Sequence, residues 1–318
     1  MKKLFIMGLA AMGLALTACN SDETVEMAKG NAIGFKTFVN NSTRVATDAT
    51  TTNLDAFKVW GLMNKDDKTG TPFVAQEVTK KDGTWSYTPP VYWEKGYAYS
   101  FVALAPNNAY EFTAPTAINT WGSLTFNNGT GETDLIYATA KQETVPANGC
   151  PPSVNLTFNH MLSRVRFQFE NGMLDGSVLT VSNVKITDAY TSGTATLAEQ
   201  LANLRWTPGQ GTGELEFGGA DAMDKNAKKA TGHKYMIPAT KDYKLSFTVT
   251  RVHHGVTDVY NHKDVPLQGL TFEPGKSYQL TAKFTAKNIN PEEELCSITF
   301  TATVNPWVDA DDNAFNLK

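Results

Sequence analysis

The sequence predicts an all-β protein organised as two β-sandwiches with Greek-key connections, and three observations carry the prediction. Many short segments alternate apolar and polar residues with period two, separated at near-regular spacing by turn-forming residues. Thr, Asn, Gly and Tyr are abundant, while runs with the helical period are scarce. Ala147-Asn148-Gly149-Cys150-Pro151-Pro152 is the strongest linker, because adjacent prolines cannot donate to a ladder and asparagine-glycine favours a turn. It divides the chain into an N-terminal unit, 45–150, and a C-terminal unit, 151–318.

The strands of the first unit follow from local patterning. Residues 31–39 set Ile33, Phe35, Thr37 and Val39 on one side against Gly34, Lys36 and Phe38 on the other, and Asn40-Asn41-Ser42-Thr43-Arg44 ends the strand in a polar turn. Across 54–62, Phe57, Val59 and Gly61 alternate with Lys58, Trp60 and Leu62, before a charged loop over 64–70. Residues 73–78 and 84–87 are short strands. Over 97–104, Tyr97, Tyr99, Phe101 and Ala103 share a face until Ala105-Pro106 closes the strand. Residues 124–126 and 134–138 complete this block.

In the second unit Val154, Leu156 and Phe158 alternate, then Val165, Phe167 and Phe169 against Arg164, Arg166, Gln168 and Glu170, the pattern of a half-buried strand. Residues 178–186, 235–238, 244–252, 257–262 and 276–284 are further strands, and 196–203 is the one candidate short helix. Pro208–Gly213 is expected to be a hairpin loop. The cleanest alternation comes last: Cys296, Ile298, Phe300, Ala302 and Val304 against Ser297, Thr299, Thr301, Thr303 and Asn305.

The N-terminus predicts an address. Lys2 and Lys3 precede an apolar run, Leu4 to Leu16, too short to span a bilayer and suited to a secretory leader. The run ends in Leu16-Thr17-Ala18-Cys19, which resembles the bacterial lipobox, so residues 1–18 are expected to be removed and Cys19 lipidated; ordinary secretory cleavage with an incidental Cys19 is the alternative. Two or more acyl chains make such anchoring stable. Ser21-Asp22-Glu23 resembles the acidic export signal of Bacteroidota surface lipoproteins. Without the leader the chain holds 26 basic and 32 acidic side chains, a mildly acidic balance that argues against a nucleic-acid partner. The composition, 41% hydrophobic and 11% aromatic, is enough for genuine cores.

No catalytic constellation is present: HExxH, a CxxC pair, a Walker loop and a GxSxG elbow are all absent. No metal or cofactor is implied. The histidines are His160, His233, His253, His254 and His262; neighbours on a strand point to opposite faces, so His253 and His254 are not expected to share a ligand. The acidic pairs Asp66-Asp67 and Asp311-Asp312 suit solvated loops better than calcium. Trp85, Tyr87, Tyr92 and Trp93 suit a core, with a glycan-stacking platform as the alternative. Cys150 and Cys296 could pair in an oxidising compartment or remain free thiols.

The ordered motifs resemble a known family. After Cys19 come the strand to Val39 and Thr43-Arg44, then residues 92–101 (YWEKGYAYSF), 134–138 (DLIYA), 154–160 (VNLTFNH), Leu162-Ser163-Arg164-Val165, and finally Thr303-Val304-Asn305-Pro306-Trp307. Over nearly the whole chain this resembles the fimbrillins of Bacteroidota, type V pilins and their fimbrillin-like lipoprotein relatives. The resemblance implies two transthyretin-like sandwiches in tandem, no enzyme activity, and other fimbrillin subunits as partners. It also implies an outer-membrane surface location through lipid on Cys19, a fimbrium after processing, and a role in adhesion. In pilus-forming members an arginine-directed protease removes the first strand; the matching site here is Arg44, with Val45 as the new N-terminus.

Loss of 19–44 would then withdraw Ile33, Phe35 and Val39, worth roughly 5–9 kcal/mol at about 1.5–3 kcal/mol per buried large side chain, and open an edge for a strand from another subunit. Ile298, Phe300, Ala302 and Val304 of 296–304 are the candidate donor strand; an ordinary last strand is equally compatible. The competing function is a non-polymerising surface lipoprotein that binds glycan or another host or bacterial surface ligand through exposed aromatics.

Overall fold

A computed structural model describes residues 32–39, 49, 53–149, 151–292 and 296–306. Its regular structure is β throughout apart from one turn of 3-10 helix, Leu201–Asn203. The first strands are β1 (Phe35–Val39), β2 (Ala56–Lys65), β3 (Lys68–Lys81), β4 (Thr84–Ser86), β5 (Ala98–Ala105), β6 (Tyr110–Thr113), β7 (Ser123–Asn127), β8 (Ile136–Gln142) and β9 (Val154–His160). Then come β10 (Ser163–Asn171), β11 (Val178–Tyr190), β12 (Ser192–Thr196), β13 (Arg205–Pro208), β14 (Thr212–Met223), β15 (Lys228–Ala230) and β16 (Lys234–Met236). The last are β17 (Thr240–His253), β18 (Val256–Thr271), β19 (Lys276–Phe284) and β20 (Thr301–Pro306).

These strands form four sheets. A seven-stranded sheet runs β1-β9-β8-β5-β2-β3-β4 and a four-stranded one β13-β12-β7-β6. A third runs β15-β10-β19-β20 with β16 also on β10, and the fourth β14-β11-β17-β18. Alternation of side chains gives the large sheet two apolar faces. Val102, Leu104 and Tyr137 face one way, onto Leu124 and Phe126 of β7 and Ala195 of β12. Phe57, Val59, Phe101, Ala103 and Phe158 face the other. The third core lies between the remaining sheets, with Val165, Phe167, Phe169 and Leu280 against Val181, Ile186, Leu245 and Val249.

Sheet membership does not follow a division at residue 150. β9 lies beyond it yet pairs with both β8 and β1. Residues 192–208 likewise return: β12 pairs with β7, and β13 adds to the outer side of β12. β16 is shared: Tyr235 packs in the core under β7 while its neighbour Met236 packs with Val165 and Leu280. Pairing partners are set by which apolar faces meet, and a linker motif does not report that.

Other departures are local. Residues 196–203 end strand β12 and contain only the 3-10 turn, because Ala195 and Leu197 are needed in the core at strand spacing. The Gly209–Gly213 segment joins β13 to β14, which lie in different sheets, so it is not a hairpin loop. His253 and His254 do not diverge: His254 sits at φ 46° in the β17–β18 turn, and the two rings stack at 4.0 Å. Strand alternation fails there because the turn rotates the second side chain back over the first.

Candidate functional site

β1 lies at one end of the large sheet and, among the described residues, pairs with β9 alone, in parallel. Phe35 is opposite Val154, Thr37 opposite Leu156 and Val39 opposite Phe158. Just ahead of it, Ala32 bridges to Tyr92. The Ile33 amide donates to the Val91 carbonyl at 2.8 Å, and the Tyr87 hydroxyl donates to the Ile33 carbonyl at 2.7 Å. The chain at 87–92, which follows the opposite end strand β4, thus meets the start of β1. The sheet rolls around its inner core and β1 fills the seam.

Ile33 is 1% exposed and Phe35 6%, whereas Phe38, on the other face, is 52% exposed. Phe35 is the centre of an aromatic cluster. It meets Phe57, Phe73 and Phe101 edge-on, with centroids at 6.0, 5.5 and 6.1 Å, and Tyr87 tilted at 5.8 Å. Edge-to-face contacts of this kind add to the area term. Thr37 is buried too. Without β1, the slot would expose these rings and one row of β9 ladder groups. Burial pushes the Tyr87 phenol up, so it stays neutral as a donor. Cys19, Arg44 and Val45 lie outside the described residues.

The C-terminal candidate strand is placed differently from its alternation. Pairing begins only at Thr301, where β20 joins β19 antiparallel, Leu280 opposite Ala302 and Tyr278 opposite Val304. Ile298 and Phe300 lie before the ladder, half-buried against the third core; Phe300 meets Phe167, Phe169 and Phe247 edge-on at 5.9 to 6.4 Å. Ala302 and Val304 stay exposed, Val304 at 48%. β20 is therefore an end strand whose ladder residues bury little. Cys296 is an exposed free thiol, and Cys150 lies outside the described residues.

Trp85, Trp93 and Trp121 do not make one binding platform. Trp93 and Trp121 are buried in different cores, and Trp85 packs on Phe57 at 5.0 Å. They do not form an exposed coplanar surface. Among the described residues no group of three or more metal-ligating side chains converges.

One polar site escaped the sequence. Asp134 and His160 form a buried pair, Nδ1 lying 3.0 Å from a carboxylate oxygen, and Asp134 also accepts the Ala49 amide at 2.7 Å. It ties the chain just after 44 to β9. Nothing marks it in sequence, since 26 residues separate the partners.

The comparisons with known proteins bear on this arrangement. Residues 43–307 match the family model described as fimbrillin-like. The fold is similar to that of a fimbrial protein from Bacteroides vulgatus, 15% identical, with a TM-score of 0.65 over 87% of this chain and 100% of that one. Two proposed cell adhesion proteins are similar at lower scores. One, from Bacteroides uniformis, has 17% identity, TM-score 0.47 and coverage of 87% and 98%; the other, from Bacteroides ovatus, has 14%, 0.49 and coverage of 88% and 99%. No curated protein matches the sequence.

Proposed function

This chain belongs to the fimbrillin-like family, a family of fimbrial proteins rather than enzymes, and we propose that it is the lipoprotein precursor of a pilus subunit. In this reading Cys19 carries the lipid that holds the precursor on the outer-membrane surface. Cleavage after Arg44 leaves Val45 as the N-terminus and frees β1 from its covalent tie. A strand from a second subunit then occupies the vacated seam. Residues 296–304 are the candidate donor: Ala302 and Val304 bury little in their own subunit, and Ile298 and Phe300 would exchange their place on the third core for the seam.

The observation that supports this best is the seating of β1. Among the described residues it pairs along one edge only, yet Phe35 on it and Ile33 just ahead of it enter a core that the other six strands already outline. Such a strand can leave without dismantling the sheet, and the slot it leaves is apolar enough to demand a replacement.

The test is limited digestion of the purified lipid-free protein with an arginine-specific protease. A single early cut after Arg44, followed by a denaturant-resistant ladder on gels, is the expected result, and Arg44→Ala abolishes both. A monomer that persists after cutting at Arg44, or that is cut first elsewhere, overturns the proposal.

A further inference from the structure

Beside β13, bounded by the turns that open β17 and β19, lies a cleft of about 420 Å³. Its lining includes Tyr190, Trp206, Pro208, Thr240, Thr271 and Glu273. We propose that this cleft binds a neutral saccharide, one or two pyranose rings of a surface glycan.

The chemistry of the walls selects the ligand. A pyranose presents an apolar C–H face and a girdle of hydroxyls that both donate and accept. The cleft offers the counterpart: aromatic surface from Trp206 and Tyr190, two hydroxyls and one carboxylate, side by side in an open groove. An acyl chain would bury the Glu273 carboxylate without a partner and leave the Thr240 and Thr271 hydroxyls only each other. A phosphate would face the Glu273 carboxylate, and no lysine or arginine is among the residues that line the cleft; Lys241, over the Tyr190 ring at 4.9 Å, is engaged with Asp188 at 3.0 Å.

The walls are also held in place before any ligand arrives. The Trp206 indole N–H donates to the Met161 carbonyl at 2.9 Å. The indole rests on Gly193, where a β-carbon would come within 3.1 Å of it, so glycine lets the ring lie flat against β12. The Thr240 and Thr271 hydroxyls sit 3.0 Å apart across the first rung of the β17–β18 ladder. The Glu273 amide donates to the Tyr278 hydroxyl and its carbonyl accepts from Ser163, both at 2.8 Å, which fixes the backbone from which its exposed carboxylate projects. Groups fixed in this way lose little freedom on binding.

The cleft shares no residue with the β1 seam, so the uncut monomer is expected to bind and the result is independent of polymerisation. The experiment is calorimetric titration of the purified full chain with maltotriose, cellotriose and tri-N-acetylchitotriose, alongside a proline-rich peptide. Saturation-transfer NMR identifies the bound sugar face. Saturable binding of at least one trisaccharide is expected, weakened about tenfold or more by Trp206→Ala. Thr271→Val and Glu273→Gln, at exposed positions where folding is not at stake, are expected to weaken it as well. Absence of saturable binding by all three sugars overturns the proposal. So does binding that ignores Thr271→Val and Glu273→Gln, and so does binding confined to the peptide.

Discussion

Replacing Phe35 by alanine tests the seam directly. The ring is 6% exposed and touches four others, Phe57, Phe73, Tyr87 and Phe101. Truncating a buried phenylalanine costs about 3–5 kcal/mol through lost transfer energy and the cavity left behind. Here there is a ceiling. β1 is bonded on one side only, so when the loss exceeds the free energy holding β1 in place the strand undocks and nothing further is forfeited. The measurement is therefore double. Urea unfolding is expected to show a lower midpoint for Phe35→Ala, while Phe38→Ala, on the same strand but 52% exposed, stays within about 0.5 kcal/mol of the parent. Hydrogen exchange is expected to accelerate at the Ile33 amide, which donates to Val91, and at the Val154 amide, which donates to Gly34. The β10–β19 amides, in a different sheet, keep their protection. Equal midpoints for the two variants, or unchanged exchange at Ile33 and Val154, would refute the view that Phe35 holds β1 in its slot.

Two further outcomes follow from buried polar groups. Burial, with the Arg164 and Arg166 charges adding to it, pulls the His233 imidazole down to about 3 from an ordinary 6.5. The unfolded chain therefore takes up this proton first: stability is at its full value above pH 6.5 and declines as pH falls towards 3, and His233→Gln is expected to flatten that part of the urea-midpoint profile. Asn171 donates to the Ser177 and Met223 carbonyls, each at 2.8 Å, and accepts the Met173 amide at 3.0 Å. Asn171→Leu strands all three at about 1–3 kcal/mol apiece, so thermal or urea unfolding is expected to show a loss of at least about 3 kcal/mol.

Much of the strand content was legible because alternation is a one-dimensional signal. The bounds of β19 and nearly those of β10 follow from Tyr278, Leu280, Ala282 and Phe284, and from Val165, Phe167 and Phe169, each delivering every second side chain to one core. The burial of Ile33 and Phe35 against the exposure of Lys36 and Phe38 repeats the pattern of their spacing. β14 was harder to see, since Gly218 and Gly219 interrupt its alternation at a bulge against Val181 and Val184. The 296–304 segment misled for the converse reason. Its alternation is regular, but Ile298 and Phe300 spend their apolar surface on the core before any ladder forms, and Ala302 and Val304 face solvent once it does.

The order of residues alone determined that this chain is all-β, which side of strands such as β1, β10 and β19 is apolar, and, through its ordered motifs, the fimbrillin-like family. Strand type and apolar side depend on neighbours one and two positions apart, and a strand carries them wherever it lies; the family depends only on the order of motifs along the chain. Only the tertiary structure decided that β1 runs parallel to β9 at the seam of a rolled sheet, that β12 returns to pair with β7, and that Asp134 meets His160. Backbone ladder groups are chemically alike at every residue, so the choice among partners falls to the three-dimensional fit of apolar faces far apart in the chain.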